Sequence, residues 1–379
     1  MRSANVRYLP QVDHLRAIAA LWIIIYHGEQ LFEAMLGHAR FFSPDLWQHT
    51  RNPLWALVIE GHTAVSLFMV LSGFIFTYGA YGSGIDYKAF IINRLLRIYP
   101  LYMVVIFVSL AVNPASYTFS SFVSTVLPLA NVEQLHTGAW VEMSWAVAIE
   151  FQFYLIYAFL LAALNKSAFK TIGGVLSVAL LFRLLGVALG GNPRDISYWH
   201  LLGRIDQFVL GMGAAALLRH VEQRKKLLTG IFLCSMPLVL GVIFIFHRLG
   251  GWPSSSAWKV LWPTVEGLAW SACVLGYVGM PSFLSPGVSR AVARIGEVSF
   301  SIYLLHFVVI DVFLRHPNML LTTTGDGRIA ALLTTVLLVV PCTIACSFLT
   351  YRVIELPFLN MRRPYLRHPH EAEQANAQS

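Results

Sequence analysis

The sequence predicts an all-α integral membrane protein of about ten transmembrane helices with both termini in the cytoplasm, and three observations predict it. Hydrophobic residues make up 57% of the 379 and charged residues only 12%, too little polar surface to cover a soluble globule of this size. Ten apolar stretches are long enough to cross a bilayer, beginning near Leu15, Leu57, Ile98, Trp145, Thr171, Tyr198, Thr229, Trp258, Val298 and Ile329. Numbered one to ten, they divide the 27 Lys and Arg unevenly, with 18 on the side of the two termini, 7 on the other, and Arg183 and Arg204 inside segments. The positive-inside rule then makes both termini cytoplasmic. The net charge of +8 reflects that topology and contact with the inner leaflet, with no nucleic-acid partner required.

Segment one reads LRAIAALWIIIYH over residues 15–27 and places an arginine and a histidine in one apolar helix. Ionisable groups at membrane depth cost a few kcal/mol and so mark sites. Eleven residues at about 100° each return His27 to within about 20° of the face of Arg16, roughly 16 Å further along the axis. No small-residue cleavage site follows, and Glu29 and Glu33 come next, so this reads as a retained helix and not a signal peptide. Segment three opens with FIINRLLRIYPLY, whose Arg94 and Arg97 project from one face of its cytoplasmic end. The pair suits either a phosphate clamp or two topology anchors that reach lipid headgroups. Residues 119–132 form a shorter apolar run, read as re-entrant or interfacial, within an outer stretch (113–144) that carries Glu133, His136 and Glu142 and no Lys or Arg.

Segment four, MSWAVAIEFQFYLIY, runs inward and brings Glu150 to about the depth of His27. A carboxylate there either orients the imidazole and stabilises its protonated form, or pairs with Arg183 or Arg204. Arg204 and Asp206 in segment six either hold a polar acceptor or satisfy each other. His306 in segment nine, FSIYLLHFVV, lies near mid-membrane as a helix-to-helix hydrogen bond or a site residue. Glu355 at the inner end of segment ten has no assigned role. The four cysteines (Cys234, Cys273, Cys342, Cys346) fall in apolar segments without disulfide or zinc spacing, and no metal is expected. With no composition shift and no long loop, residues 1–363 read as a single membrane domain, and 364–379 as a polar, disordered cytoplasmic tail.

Taken in order, seven stretches resemble the acyltransferase 3 family of bacterial integral-membrane enzymes. They are DHLRAIAALWIIIYH (13–27), GHTAVSLFMVLSGFIF (61–76), FIINRLLRIYPLY (90–102), SWAVAIEFQFY (144–154), RIDQFVLGMG (204–213), IGEVSFSIYLLHF (295–307) and YRVIELP (351–357). One departure is Ala146, where the family commonly has a small hydroxyl residue. The resemblance implies transfer of an acyl group, usually acetyl, from cytoplasmic acetyl-CoA or another acyl-CoA to a hydroxyl of an extracytoplasmic glycan such as lipopolysaccharide O-antigen or exopolysaccharide. It further implies a place in the bacterial inner membrane, and a standalone member without a fused esterase-like domain. On this reading Arg16, Arg94 and Arg97 hold the donor phosphates. His27 is general base or acyl carrier, Glu150 orients it, and Trp145 offers a ring face to a sugar, with Arg204, Asp206 and His306 as further acceptor contacts. A proton-coupled transporter or glycan exporter using His27, Glu150 and His306 is the alternative.

Overall fold

The computed structural model describes residues 8–131, 139–141, 143–322 and 327–367. Glu133, His136 and Glu142 of the outer stretch, and the tail from residue 368, lie outside the described residues. The order of helices is α1 (Pro10–His38), α2 (Pro53–Ile59), α3 (Thr63–Ala80), α4 (Tyr87–Val112), α5 (Phe119–Val126), α6 (Ser144–Lys166), α7 (Ala168–Ala188), α8 (Pro193–Tyr198), α9 (Leu201–Val221) and α10 (Lys225–Arg248). There follow α11 (Trp262–Gly279), α12 (Pro286–Glu297), α13 (Ser299–Arg315), α14 (Gly327–Thr334), α15 (Val340–Thr350) and α16 (Leu356–Leu359). The strands described are β1 (Gly84–Ile85) and β2 (Leu366–Arg367), an antiparallel pair that ties the α3–α4 turn to the chain beyond α16.

Several starts follow local chemistry. Pro10 opens α1 with a fixed φ where no intrahelical donor is needed. Asn52, Asp86 and Asn192 cap α2, α4 and α8 by accepting from backbone N–H groups. Among the described residues, seven helices suffice by length and apolarity to cross a membrane: α3, α4, α6, α7, the joined α8–α9, α10, and the continuous helix from α14 to α16. The pair α12 and α13, bent by 64°, makes an eighth. At 29 and 18 residues α1 and α11 are long enough, but polar groups interrupt them, Asp13, Arg16, Glu29 and Glu33 in α1 and Glu266 in α11. The 119–132 run forms only the short α5 over its described part.

Burial sorts the helices. The apolar windows of α3 and of α8–α9 are each 78% enclosed by protein, whereas that of α7 is 11% enclosed and shows Leu181, Leu184 and Leu185 outward, as a lipid-facing helix does. Around the centre, α1 packs on α3, α12, α13 and α14. The helix from α14 to α16 carries two π-turns, at Thr335–Val339 and Tyr351–Glu355. The first lies beside Gly28, where a Cβ would strike the Thr335 side chain at 2.5 Å.

The crossing of α3 and α9 sets the distance between the two halves of the interior. Gly73 faces the Phe208 carbonyl and Gly211 faces the Val70 carbonyl, each so close that a Cβ would run into backbone. Such small-residue contacts let helix backbones approach where lipid offers no hydrophobic drive. Gly73→Ala and Gly211→Ala are each expected to destabilise the protein by about 1–3 kcal/mol through overpacking. The check is the thermal midpoint in detergent, with Gly241→Ala, where nothing lies within 4 Å, expected to leave it unchanged.

Candidate active site

A cavity of about 480 Å³ opens between α1, α3, α4, α6 and α13. Arg16 and Asp13 reach it from α1, Arg94 and Arg97 from α4, Glu150 and Tyr154 from α6, Tyr303 from α13, and Arg362 from the chain past α16. The two α4 arginines do different things. Arg97 donates to the Glu355 carboxylate at 3.2 Å and to the backbone carbonyl of Glu297 at 3.3 Å, and Glu355 also accepts from Ser301. Arg94 has no ion pair among the described residues. Its guanidinium lies over the rings of Phe76 (4.7 Å) and Phe90 (5.4 Å), and its buried Nε has no partner. Arg16 stands 3.6 Å from Asp13.

Arg362 was not singled out from the sequence, because it reads there as one more basic residue of the cytoplasmic tail. Burial and then the neighbouring charges of Arg94 and Arg97 push its guanidinium down to about 10. Three cations that raise one another's cost on one wall leave the cavity ready for an anion. Forked guanidinium donors match phosphate oxygens in geometry, and the volume lies within the roughly 300–1,000 Å³ of small-molecule sites.

Among the described residues Glu150 makes no hydrogen bond or ion pair with His27; it accepts hydrogen bonds from Ser72 Oγ at 2.8 Å and from the Tyr154 hydroxyl. The partner of His27 is His306. The two rings stack with centroids 5.1 Å apart, and His27 Nδ1 lies 3.1 Å from His306 Nε2. His306 Nδ1 is 2.6 Å from the Tyr303 carbonyl, an atom that only accepts. In the neutral ring, Nδ1 of His306 therefore carries the proton and its Nε2 is bare. His27 must then donate from Nδ1, which leaves His27 Nε2 with a free lone pair. Both rings are buried, and Tyr303, which starts this chain of bonds, is also a wall of the arginine cavity.

Asp206 is committed elsewhere. It pairs with Arg183 at 2.9 Å, both fully buried, and accepts from Thr264 at 2.5 Å. Arg204 and Asp206 do not satisfy each other, since residues two apart on a helix face away from one another. Arg204 instead donates to Ser66 at 2.8 Å and stands 4.0 Å from Glu266. Its guanidinium covers the ring of Tyr198 at 4.4 Å and approaches that of Trp145 at 5.8 Å. The site thus brings Arg16, Arg94, Arg97 and Glu150 together in one cavity and His27 with His306 behind Tyr303. Arg204 and Trp145 form a separate neighbourhood, while Asp206 belongs to a buried ion pair.

Comparison with known proteins adds the family. Acyltransferase MdmB of Streptomyces mycarofaciens is 24% identical over 401 residues, covering 96% of both chains. A Staphylococcus aureus (strain MRSA252) protein provisionally named as an O-acetyltransferase is 24% identical over 408 residues, covering 96% of this chain and 60% of its own length. The chain thus spans about 60% of the length of the Staphylococcus relatives it matches. A Bacillus subtilis protein provisionally named peptidoglycan O-acetyltransferase YrhL is 26% identical over 351 residues, 82% of this chain and 50% of that one. No solved structure matches. The model of the family described as an acyltransferase domain matches residues 9–352, and with that extent of agreement the chain belongs to the acyltransferase 3 family.

Proposed function

We propose that this protein is a multi-pass enzyme of a bacterial inner membrane that moves an acyl group, acetyl in the simplest case, from cytoplasmic acyl-CoA to a hydroxyl of an extracytoplasmic glycan. The observation that carries the proposal is the arrangement along α1. At one end lies an arginine-lined cavity, and eleven residues on is a histidine whose free nitrogen is set by a second histidine. In this reading ten segments cross the bilayer, α1 and α11 included, with both termini cytoplasmic, and residues 1–363 work as one domain.

The donor supplies an activated thioester. Arg94 is its principal phosphate ligand, being a guanidinium with neither a carboxylate nor a carbonyl partner among the described residues, with Arg16, Arg97 and Arg362 around it. Tyr303 and Glu150 wall the cavity that the donor's arm occupies, and Glu150 offsets the surplus positive charge there through the carboxylate that Ser72 and Tyr154 hold. His27 Nε2 takes the proton of the acceptor hydroxyl as its oxygen bonds the acyl carbon and the thioester C–S bond breaks, and passes that proton to the departing CoA thiolate; or the ring first carries the acyl group, the thiolate leaving in the same way. His306 keeps the ring in the tautomer that makes either possible, with the Tyr303 carbonyl as the fixed end of the relay. The glycan acceptor draws support from the family resemblance and from the word peptidoglycan in the name of the Bacillus relative.

Two expected outcomes follow from the histidine pair. His27→Ala is expected to abolish transfer while leaving acetyl-CoA binding in place, read by isothermal titration on purified protein. His306→Phe keeps the packing but removes the acceptor for His27 Nδ1, and is expected to lower kcat by roughly 10²-fold with both KM values little changed; a wild-type kcat would remove His306 from the mechanism. On the donor side, Arg94→Lys keeps the charge and loses the planar fork, so the acetyl-CoA KM is expected to rise about tenfold with topology intact. Arg97→Lys is expected to act mainly on thermal stability, because Glu355 and the Glu297 carbonyl lose their fork. Steady-state kinetics and melting curves on the two variants check the difference.

A further inference from the structure

Beyond His27, on the side away from the arginine cavity, aromatic rings gather in an unusual density. The Tyr26 ring lies 4.6 Å from that of His27, 6.0 Å from His62 and 6.5 Å from Trp47. Tyr198 lies 4.9 Å from Trp145, 5.7 Å from His62 and 6.3 Å from Trp252. Trp47 and Trp252, each from a connecting segment, stack at 6.1 Å. The rings form one continuous lining that begins on the proposed reacting histidine.

Three polar atoms in this lining have no partner among the described residues: Trp47 Nε1, Trp145 Nε1 and His62 Nδ1. Their residues are 7%, 6% and 4% exposed. Trp22 and Trp270, outside this cluster, and Trp199, within it, give their ring N–H to an oxygen, so among the described residues the buried tryptophan N–H groups without a partner are those of Trp47 and Trp145. The bare nitrogen of His62 is also built. His247 Nε2 accepts from the Thr50 N–H at 2.9 Å, so its Nδ1 donates to Glu60 at 2.8 Å. The other Glu60 oxygen accepts from His62 Nε2 at 3.1 Å, and the opposite nitrogen of His62 is left free. Burial works against the Glu60 charge, yet the hydrogen bonds from His247 and His62 hold its carboxyl below the usual carboxylate range.

We propose that this aromatic box is the acceptor subsite, in which His62 Nδ1 accepts a hydrogen bond from one hydroxyl of a sugar while the ring N–H groups of Trp47 and Trp145 donate to its other oxygens. The proposal rests on the acyl-transfer reading and adds to it the groups that recognise the acceptor. A sugar is the class that fits. Each hydroxyl both donates and accepts, which answers two donors and one acceptor together, and the C–H faces of the ring lie against Tyr198 and Trp252. Left unmet, each of those buried atoms carries a desolvation penalty, which the bound sugar removes. The box touches His27 through Tyr26, so a bound hydroxyl arrives on the histidine's outer side while the donor comes from its inner side.

The test uses the full chain in lipid vesicles, acetyl-CoA as donor and, as acceptor, surface polysaccharide isolated from a host strain in which this chain is deleted. Trp47→Phe keeps an aromatic ring and loses the five-membered part of the indole with its N–H; it is expected to raise the half-saturating polysaccharide concentration about three- to tenfold, the loss of one hydrogen bond. His62→Phe is expected to do the same, and Trp47→Phe stands alone if His62→Phe does not fold. In both, the acetyl-CoA KM is expected to stay within experimental scatter of wild type, while the thermal midpoint falls, through the space left at Trp47 and through the hydrogen bond to Glu60 lost at His62. Unchanged polysaccharide dependence in Trp47→Phe, or a parallel rise in the KM of both substrates, overturns the subsite. Failure of the wild-type protein to transfer acetyl under the same conditions overturns the acyl-transfer reading itself.

Discussion

In hydrocarbon an ionised side chain persists only with a partner, and the interior of this protein is organised by that demand. Arg183 and Asp206 meet at 2.9 Å with no exposure at all, Arg97 reaches Glu355, and Arg204 sits between Ser66 and Glu266. Each pair joins helices distant in sequence, so together they fix which helices are neighbours and at what depth. Against that background the exceptions stand out. Arg94 has aromatic faces but no carboxylate, and His27 ends a chain of hydrogen bonds with a lone pair unspent. On the proposed function, it is at such unmet groups, in a structure that satisfies its charges so widely, that the chemistry takes place.

On the proposed function, donor and acceptor need never meet in bulk water. The arginine cavity takes its members from α1, α4, α6, α13 and the chain past α16, and the aromatic box takes its own from α1, α6, α8 and the segments around α2 and α10. Tyr303 and Tyr26 flank the histidine pair on the two sides. The α3–α9 crossing holds Ser66 and Ser72, one turn and a half apart, against Arg204 on one side and Glu150 on the other.

Much of this was legible in the sequence, and where it was not, the reason is physical. Helical period alone carried Arg16 and His27 onto one face, and the apolar stretches foretold an all-α membrane protein. The partner of Glu150 was out of reach, because equal depth in the bilayer says nothing about rotation about the helix axis. His306, on the right helix at the right depth, was seen as a candidate but not as the partner of His27. Glu60, His62 and His247 come from three places in the chain whose proximity depends on how α2, α3 and α10 meet. Arg362 was hidden by its company of basic residues. Segments one and eight were legible as apolar runs, yet α1 and α11 carry enough polar groups to fall outside the seven helices apolar enough on their own; function and insertion pull their composition in opposite directions.

The short ribbon of β1 and β2 reaches past the matched family region. Its pairing of Gly84 with Arg367 and Ile85 with Leu366 is reinforced by Asp86 with Arg367 at 3.0 Å, and by Asn93, whose side chain exchanges hydrogen bonds with both backbone groups of Arg363. The match to the family model ends at residue 352, ten positions short of Arg362. One of the cavity's cations is therefore delivered by a tether, and its supply to the cavity is a local equilibrium of a few hydrogen bonds at the protein's rim. On the proposed function, the grip on an anionic donor is adjustable there, by loosening or shortening the tether, with the membrane helices unchanged.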